Sequence, residues 1–155
     1  MKVLFVHQNF PAQYRHIAPA LARRGDAVVA LGENEREASQ GGKDTHRYIR
    51  RFENAVFRGQ QVARGALALK ERGFSPDVVC CHPGWGEGLF LRDVWPEAKL
   101  LYYFEYYFRS SGGDVGFDPP GPVSIDDAGR VRMLNATHLA SLEQADWGQT
   151  PTRWQ

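Results

Sequence analysis

The chain has 155 residues, which suits one domain that buries about two thirds of its unfolded surface in a single core. Its 19 Lys and Arg residues against 18 Asp and Glu residues leave a net charge of +1, and this balance argues against a general binder of nucleic acid. The two cysteines, Cys80 and Cys81, are adjacent and therefore point to opposite faces of a predicted strand, so neither has a partner at disulfide or zinc-ligand spacing. We expect reduced thiols, no metal site and a cytoplasmic setting, and no apolar run approaches the length of a membrane span.

The first 31 residues predict a strand, a helix and a second strand. Residues 3–6 are an uninterrupted apolar run typical of a buried parallel strand, and residues 26–31 form a second one. Between them, apolar residues at helical spacing predict a helix over 12–24 that ends at Gly25. Pro19 lies inside this helix and is expected to kink it or to remove a hydrogen bond. Such a βαβ unit is right-handed and implies a parallel sheet.

The rest of the chain continues this alternation. Residues 32–44 indicate a polar loop, and residues 45–49 predict a short edge strand next to Arg50 and Arg51. These arginines favour a solvated strand edge over the alternative of a contact with phosphates or a membrane surface. The other predicted elements are helices over 52–72, 88–94 and 125–145, strands over 77–81, 98–104 and 146–150, and a long loop over 110–122. Residues 1–155 are thus predicted to form a single α/β, Rossmann-like, three-layer domain with an open, mainly parallel sheet.

A six-residue loop, His-Pro-Gly-Trp-Gly-Glu over residues 82–87, follows the buried strand 77–81. In open parallel sheets, ligands bind in the crevice beyond the carboxyl ends of the strands. A loop at that place with an imidazole, an indole, a carboxylate and two glycines is therefore predicted to bind a ligand.

A second loop, residues 7–11, follows the first strand. If the strands 3–6 and 77–81 are neighbours, the topological switch point of the sheet falls between them and both loops line one crevice. Amides, imidazoles, a carboxylate and aromatic rings suit a polyhydroxylated ligand. The alternative is that the rings plug the sheet end and the histidines are hydrogen-bonded loop residues. The predicted substrate-binding residues of the two loops are His7, Gln8, Asn9, Phe10, His82, Trp85, Gly86 and Glu87.

Glu105 and Tyr106 belong to an aromatic run that follows strand 98–104 and points to the same end of the sheet. A carboxylate among aromatic rings is expected to have a raised pKa, which suits an acid or a base, and it can equally anchor the long loop by hydrogen bonds. We take Glu105 as the candidate catalytic residue and Tyr106 as a further substrate contact.

Several catalytic motifs are absent. The first strand is not followed by GxGxxG, and the chain has no Walker loop, HExxH, CxxC or nucleophile elbow. These absences argue against a self-sufficient dehydrogenase, kinase, metalloprotease or serine hydrolase, and no cofactor is predicted.

Four stretches resemble the N-terminal half of bacterial family-four glycosyltransferases: residues 2–11 (KVLFVHQNFP), residues 18–22 (APALA) with Gly25, residues 82–87 (HPGWGE) and residues 145–155 (ADWGQTPTRWQ). The resemblance implies one half of a GT-B fold, in which two Rossmann-like domains face each other across a cleft. It also implies that the N-terminal domain binds the acceptor, while a C-terminal domain outside this chain binds the nucleotide-sugar donor. Many relatives carry a histidine where this sequence has Glu105.

The resemblance implies an enzyme that moves a sugar from a nucleotide-sugar donor to a hydroxyl of a sugar, glycolipid or glycan acceptor, with retention and with possible peripheral membrane contact. Trp85 and Phe10 would stack on the acceptor, and Glu87, Asn9 and His82 would fix its hydroxyls. This half alone is expected to be inactive, because transfer needs donor and acceptor together in one dry cleft.

Two other interpretations stay open at this point. One is a stand-alone flavodoxin-like binding or regulatory domain that docks on a partner through its aromatic loop. The other is a GT-B enzyme of different chemistry, such as a nucleotide-sugar epimerase.

Overall fold

The computed structural model describes residues 1–32, 44–112 and 123–153. These residues contain one open sheet of five strands, in the order β2-β1-β3-β4-β5, and every neighbouring pair is parallel. The strands are β1 (Lys2–Val6), β2 (Ala27–Leu31), β3 (Val78–Cys81), β4 (Lys99–Tyr103) and β5 (Trp147–Gln149). The predicted α/β class and parallel sheet are confirmed.

The strand β1 lies between β2 and β3, and its side chains belong to two apolar clusters, one on each face of the sheet. Successive side chains of a strand point to opposite faces, so Val3 and Phe5 pack on one side while Leu4 and Val6 pack on the other. Cys80 packs on the same face as Val3 and Phe5, and Cys81 packs on the opposite face. Both are buried free thiols. The helix α1 (Ile17–Arg23) covers the first face, and the helices α2 (Arg50–Glu71) and α3 (Leu91–Val94) cover the second. The fold is therefore a three-layer α/β/α arrangement.

The helix expected over residues 12–24 is divided in two. Ala12–Tyr14 form a short 3₁₀ helix, and α1 begins only at Ile17. Pro19 then falls in the first turn of α1, where its missing N–H has no intrahelical partner in any case. The predicted kink was wrong for this reason.

The edge strand expected over residues 45–49 was also wrong, because these residues form turns that lead into α2. Side-chain bonds hold the turns in place: the Arg47 guanidinium lies 3.0 Å from the Asp126 carboxylate, and the Tyr48 hydroxyl donates to the same carboxylate. Contacts with a later helix thus override the strand preference of Thr, Tyr and Ile. The predicted loops over 32–44 and 110–122 lie largely outside the described residues.

Two further helices differ in length from the prediction. The helix α3 has a single turn, because residues 84–89 form turns before it begins. The predicted helix over 125–145 is two helices, α4 (Ile125–Met133) and α5 (Ala136–Gln144). The break between them falls at Asn135, whose side chain bonds to the backbone of Phe108 rather than to its own helix.

Candidate functional site

Three polar side chains lie together where β1, β3 and β4 end: His7, His82 and Glu105. His7 and His82 directly follow β1 and β3, and their backbone N–H groups continue the sheet ladder by donating to Leu31 and Val6 carbonyls at 3.1 Å. Since β1 and β3 are neighbours, the two imidazole rings come within 5.1 Å of each other, measured between centroids. The expectation that both loops meet at the switch point is confirmed.

A chain of hydrogen bonds connects the two loops. The His82 Nε2 and the Glu105 Oε2 form a hydrogen bond at 3.1 Å. The Gln13 amide donates to the same oxygen at 3.4 Å, and the Gln13 side chain also raises the pKa of His7. Gln13, which was not predicted as a site residue, therefore links the first loop to Glu105.

His7 is held in one orientation and one tautomer. Its Nδ1 accepts the backbone N–H of Asn9 at 2.9 Å, so the proton of the neutral ring lies on Nε2. Burial lowers the pKa of His7, the nearby His82 lowers it further, and the Glu105 carboxylate raises it. His7 is therefore a neutral imidazole at pH 7 and serves as a fixed support for the first loop.

The loop 82–87 packs against the backbone of α2, and its glycines make this possible. Gly86 has a φ of +113°, and a Cβ at this position would lie 2.0 Å from the Ala55 carbonyl oxygen. Gly59 of α2 is equally close to the loop, because a Cβ there would lie 2.8 Å from the Gly86 oxygen. Only glycine fits where two backbones approach so closely.

Trp85 and Glu87 have opposite environments within this loop. The indole of Trp85 is 51% exposed, whereas Glu87 is 2% exposed. Glu87 Oε2 accepts the backbone N–H of Trp85 at 3.1 Å, so this carboxylate supports the loop from below. The Trp85 ring is the part of the loop that faces solvent.

A cleft of about 500 Å³, called the main cleft below, lies between α2, the loop 82–87, the segment after β4, Leu134 at the end of α4, and α5. It contains His82, Trp85, Glu105 and Tyr106 of the predicted residues. The Tyr106 ring packs edge-on against Phe108 with centroids 4.9 Å apart. The other lining residues were not predicted as site residues: Arg51, Phe52, Asn54, Ala55, Arg58, Gly84, Phe108, Leu134, Thr137 and His138.

The sequence gives one indication of the α2 residues that line this cleft. Asn54, Ala55 and Arg58 follow Arg51 by three, four and seven positions, and this spacing places all four on one face of a helix. The sequence alone does not show that this face lies over the crevice.

The first loop lines a second, wide cleft of about 620 Å³, which contains His7, Gln8 and Asn9. His82, Trp85 and Glu105 line both clefts and therefore form the boundary between them. A third cavity of about 250 Å³ contains Gln8 and Glu87. Phe10 is 36% exposed and packs on Phe5 at 6.1 Å between centroids. The structure thus gathers most of the predicted residues around one boundary.

Two absences concern the described part of the chain. Within residues 1–32, 44–112 and 123–153, no three His, Cys, Asp or Glu side chains are placed to hold a metal ion. None of the helices in these ranges is both long and apolar enough to cross a bilayer.

A family model described as "Glycosyl transferase family 4 group" matches residues 26–155, which is well over half of the chain. The chain belongs to this glycosyltransferase family. Neither the curated proteins nor the solved structures gave a match. Membership in the family supports a role in glycosyl transfer in general, with a sugar donor and an acceptor as substrates. The matched region includes the loop 82–87, Glu105 and the α2 wall of the main cleft, while the loop 7–11 precedes it.

Proposed function

We propose that this chain forms the acceptor side of a glycosyltransferase that moves a glycosyl group from a nucleotide sugar to a hydroxyl group, with retention. The observation that carries the proposal is the exposed indole of Trp85 beside the hydrogen-bonded pair His82 and Glu105, at the switch point of the sheet. A sugar ring presents apolar C–H faces and a rim of hydroxyls, which an aromatic face and fixed polar groups bind together.

Glu105 is the candidate for direct contact with the reacting hydroxyl. It lines both clefts, and the bonds from His82 and Gln13 hold its carboxylate in place. An oriented carboxylate accepts a hydrogen bond from an acceptor hydroxyl and so increases the electron density on the attacking oxygen.

The site needs a second wall. Both clefts are open to solvent, and transfer requires that donor and acceptor be held together with water excluded. We infer that a C-terminal half binds the nucleotide-sugar donor and closes the cleft, and that residues 1–155 alone bind acceptor without turnover. The buried, free Cys80 and Cys81 support a cytoplasmic location.

The test uses a protein in which this domain is joined to its donor-binding half. Trp85→Ala is expected to raise the KM for the acceptor about tenfold, because it removes the stacking surface. Glu105→Gln is expected to lower kcat while the KM changes little.

The matched control is Trp147→Ala, which removes an indole that is 71% exposed on β5 and lines none of the clefts described above. It is expected to leave both parameters unchanged. Equal effects of Trp85→Ala and Trp147→Ala, or unchanged activity in Trp85→Ala and Glu105→Gln, would contradict the proposed site.

A further inference from the structure

A cavity of about 360 Å³, called the apolar cavity below, lies beside the main cleft, between the segment after β4, the helix α5 and the strand β5. Three aromatic rings and two leucines form most of its walls: Phe104, Tyr106, Tyr107, Leu139 and Leu142. No carboxylate, Lys or Arg side chain is among the described residues that line it. Such a lining suits the apolar part of a ligand.

The helix α5 has an inverted distribution of polar and apolar side chains. Its buried residues are polar, since Thr137, His138 and Ser141 are at most 8% exposed. Leu139 and Leu142, in contrast, are 54% and 53% exposed, and both line the apolar cavity. An amphipathic helix normally buries its apolar face. The exposed leucines therefore form a surface that an apolar ligand can cover.

The apolar cavity adjoins the main cleft, because Tyr106 and His138 line both. The His138 ring packs against the rings of Phe104 and Phe108, with centroids 6.3 and 6.4 Å apart, so the boundary between the two cavities is mostly aromatic. Burial is the largest cause of the lowered pKa of His138, and the imidazole is therefore neutral at pH 7. A ligand chain that passes over this boundary meets aromatic rings and an uncharged imidazole.

The two cavities differ in chemistry. The main cleft contains polar side chains, among them His82 and Glu105, around the exposed indole of Trp85, and this combination suits a sugar ring. The apolar cavity offers mainly aromatic rings and aliphatic side chains. A ligand with a sugar ring at one end and a hydrocarbon chain at the other matches both cavities together.

We propose that the acceptor is an amphiphilic glycoside, whose sugar ring stacks on Trp85 in the main cleft and whose alkyl chain lies in the apolar cavity against Leu139 and Leu142. The shared boundary at Tyr106 and His138 favours one ligand in both cavities over a separate partner for the apolar surface. This inference rests on the proposed function and names the chemical class of its acceptor.

The experiment titrates the 155-residue chain with methyl, butyl and hexyl β-glucoside, below the concentrations at which micelles form, and calorimetry measures the affinities. A methylene group that becomes buried raises the affinity about fourfold. Affinity is therefore expected to rise with chain length, so that hexyl glucoside binds at least about tenfold more tightly than methyl glucoside. The heat-capacity change of binding is expected to become more negative along the series.

Leu142→Gln places a polar amide in the apolar cavity, and Leu142 does not line the main cleft. It is expected to reduce the advantage of hexyl over methyl glucoside to less than about threefold and to leave methyl glucoside binding unchanged. The matched control is Leu67→Gln, at a position of α2 that is 46% exposed and lines neither cavity. It is expected to keep the full advantage. Equal losses in the two variants would overturn the proposal.

The remaining outcomes separate this inference from the proposed function. Hexanol carries the chain without the sugar, and if it binds as tightly as hexyl glucoside, the apolar cavity acts without the main cleft and the proposal is overturned. Equal affinities for the three glucosides would overturn the amphiphilic acceptor and keep the acceptor-side assignment. Absence of binding by all three glucosides would overturn both.

Discussion

The His82 Nε2 lies 3.1 Å from the Glu105 Oε2, and this pair joins the loop after β3 to the segment after β4 at the boundary of two clefts. The carboxylate also acts on His7, whose pKa it raises against the larger effects of burial and of His82. The Glu105 carboxylate therefore interacts with three side chains: the imidazoles of His7 and His82 and the amide of Gln13.

Glu105→Gln is expected to lower the pKa of His7 further, because it removes the charge that favours the imidazolium and keeps the shape of the side chain. An NMR titration of the imidazole resonances measures this directly. Arg15→Gln, an exposed charge change on the wall of the second cleft, is the control for a general change in the field. A His7 pKa that is unchanged in Glu105→Gln would show that this carboxylate does not couple to the first loop.

The pH dependence of stability follows from two buried histidines. Burial is the largest cause of the lowered pKa of both His7 and His138. The unfolded chain, with histidines near a pKa of about 6.5, then binds more protons than the folded chain below that pH. Their contribution to stability is fully present above pH ~6.5 and is lost as the pH falls toward their folded pKa values.

Urea unfolding between pH 7.5 and 5 is therefore expected to show a falling free energy of unfolding, by at most about 1.4 kcal/mol per pH unit for each histidine. His138→Gln is expected to make this slope shallower. His16→Gln, at an exposed position, is the control and is expected to keep it. A slope that is the same in His138→Gln as in the parent chain would contradict the assignment.

The five strands of the sheet were predictable, because an uninterrupted apolar run such as residues 3–6 reports burial on both faces of a parallel sheet. Their order was not: the meeting of His7 and His82 was expected only on the condition that β1 and β3 are neighbours, which the structure shows. The break at Asn135 was not predictable, since the apolar spacing runs through it and the break depends on a bond to Phe108, 27 residues earlier. The α2 wall was missed for a related reason: helical spacing shows that Arg51 and Asn54 share a face, and only tertiary packing places that face over the cleft.

Gly86→Ala is expected to be among the most destabilising substitutions in the loop 82–87. The new Cβ would combine a positive φ with an approach of 2.0 Å to the Ala55 carbonyl oxygen. Strain and overpacking together are expected to cost about 3 kcal/mol or more. Gly73→Ala is the matched control, since Gly73 has a φ of +82° and nothing within 4 Å of the added Cβ.

The control is expected to cost only about 1–2 kcal/mol, the conformational part alone. Chemical denaturation of the two variants measures the difference, which reports the packing of the loop on α2. Equal losses would mean that the loop moves away from Ala55 at little cost.

Asn135 fastens the segment that carries Glu105 and Tyr106. Its Oδ1 accepts the Phe108 N–H and its Nδ2 donates to the Phe108 carbonyl, both at 2.8 Å, and the residue is 2% exposed. Asn135→Ala leaves both backbone groups without these partners and is expected to destabilise the chain by about 2 kcal/mol. Leu139→Ala, at a position of α5 that is 54% exposed, is the control and is expected to cost well under 1 kcal/mol.

Hydrogen exchange of the amides of residues 105–109 distinguishes a local role of Asn135 from a general loss of stability. If the side chain fixes this segment, exchange in Asn135→Ala rises there at low denaturant, while the amides of β1 and β3 keep their protection. Uniform acceleration across the sheet would instead show that Asn135 acts only on global stability. The local result would mean that the position of Glu105 at the boundary of the two clefts depends on α5 as well as on its bonds to His82 and Gln13.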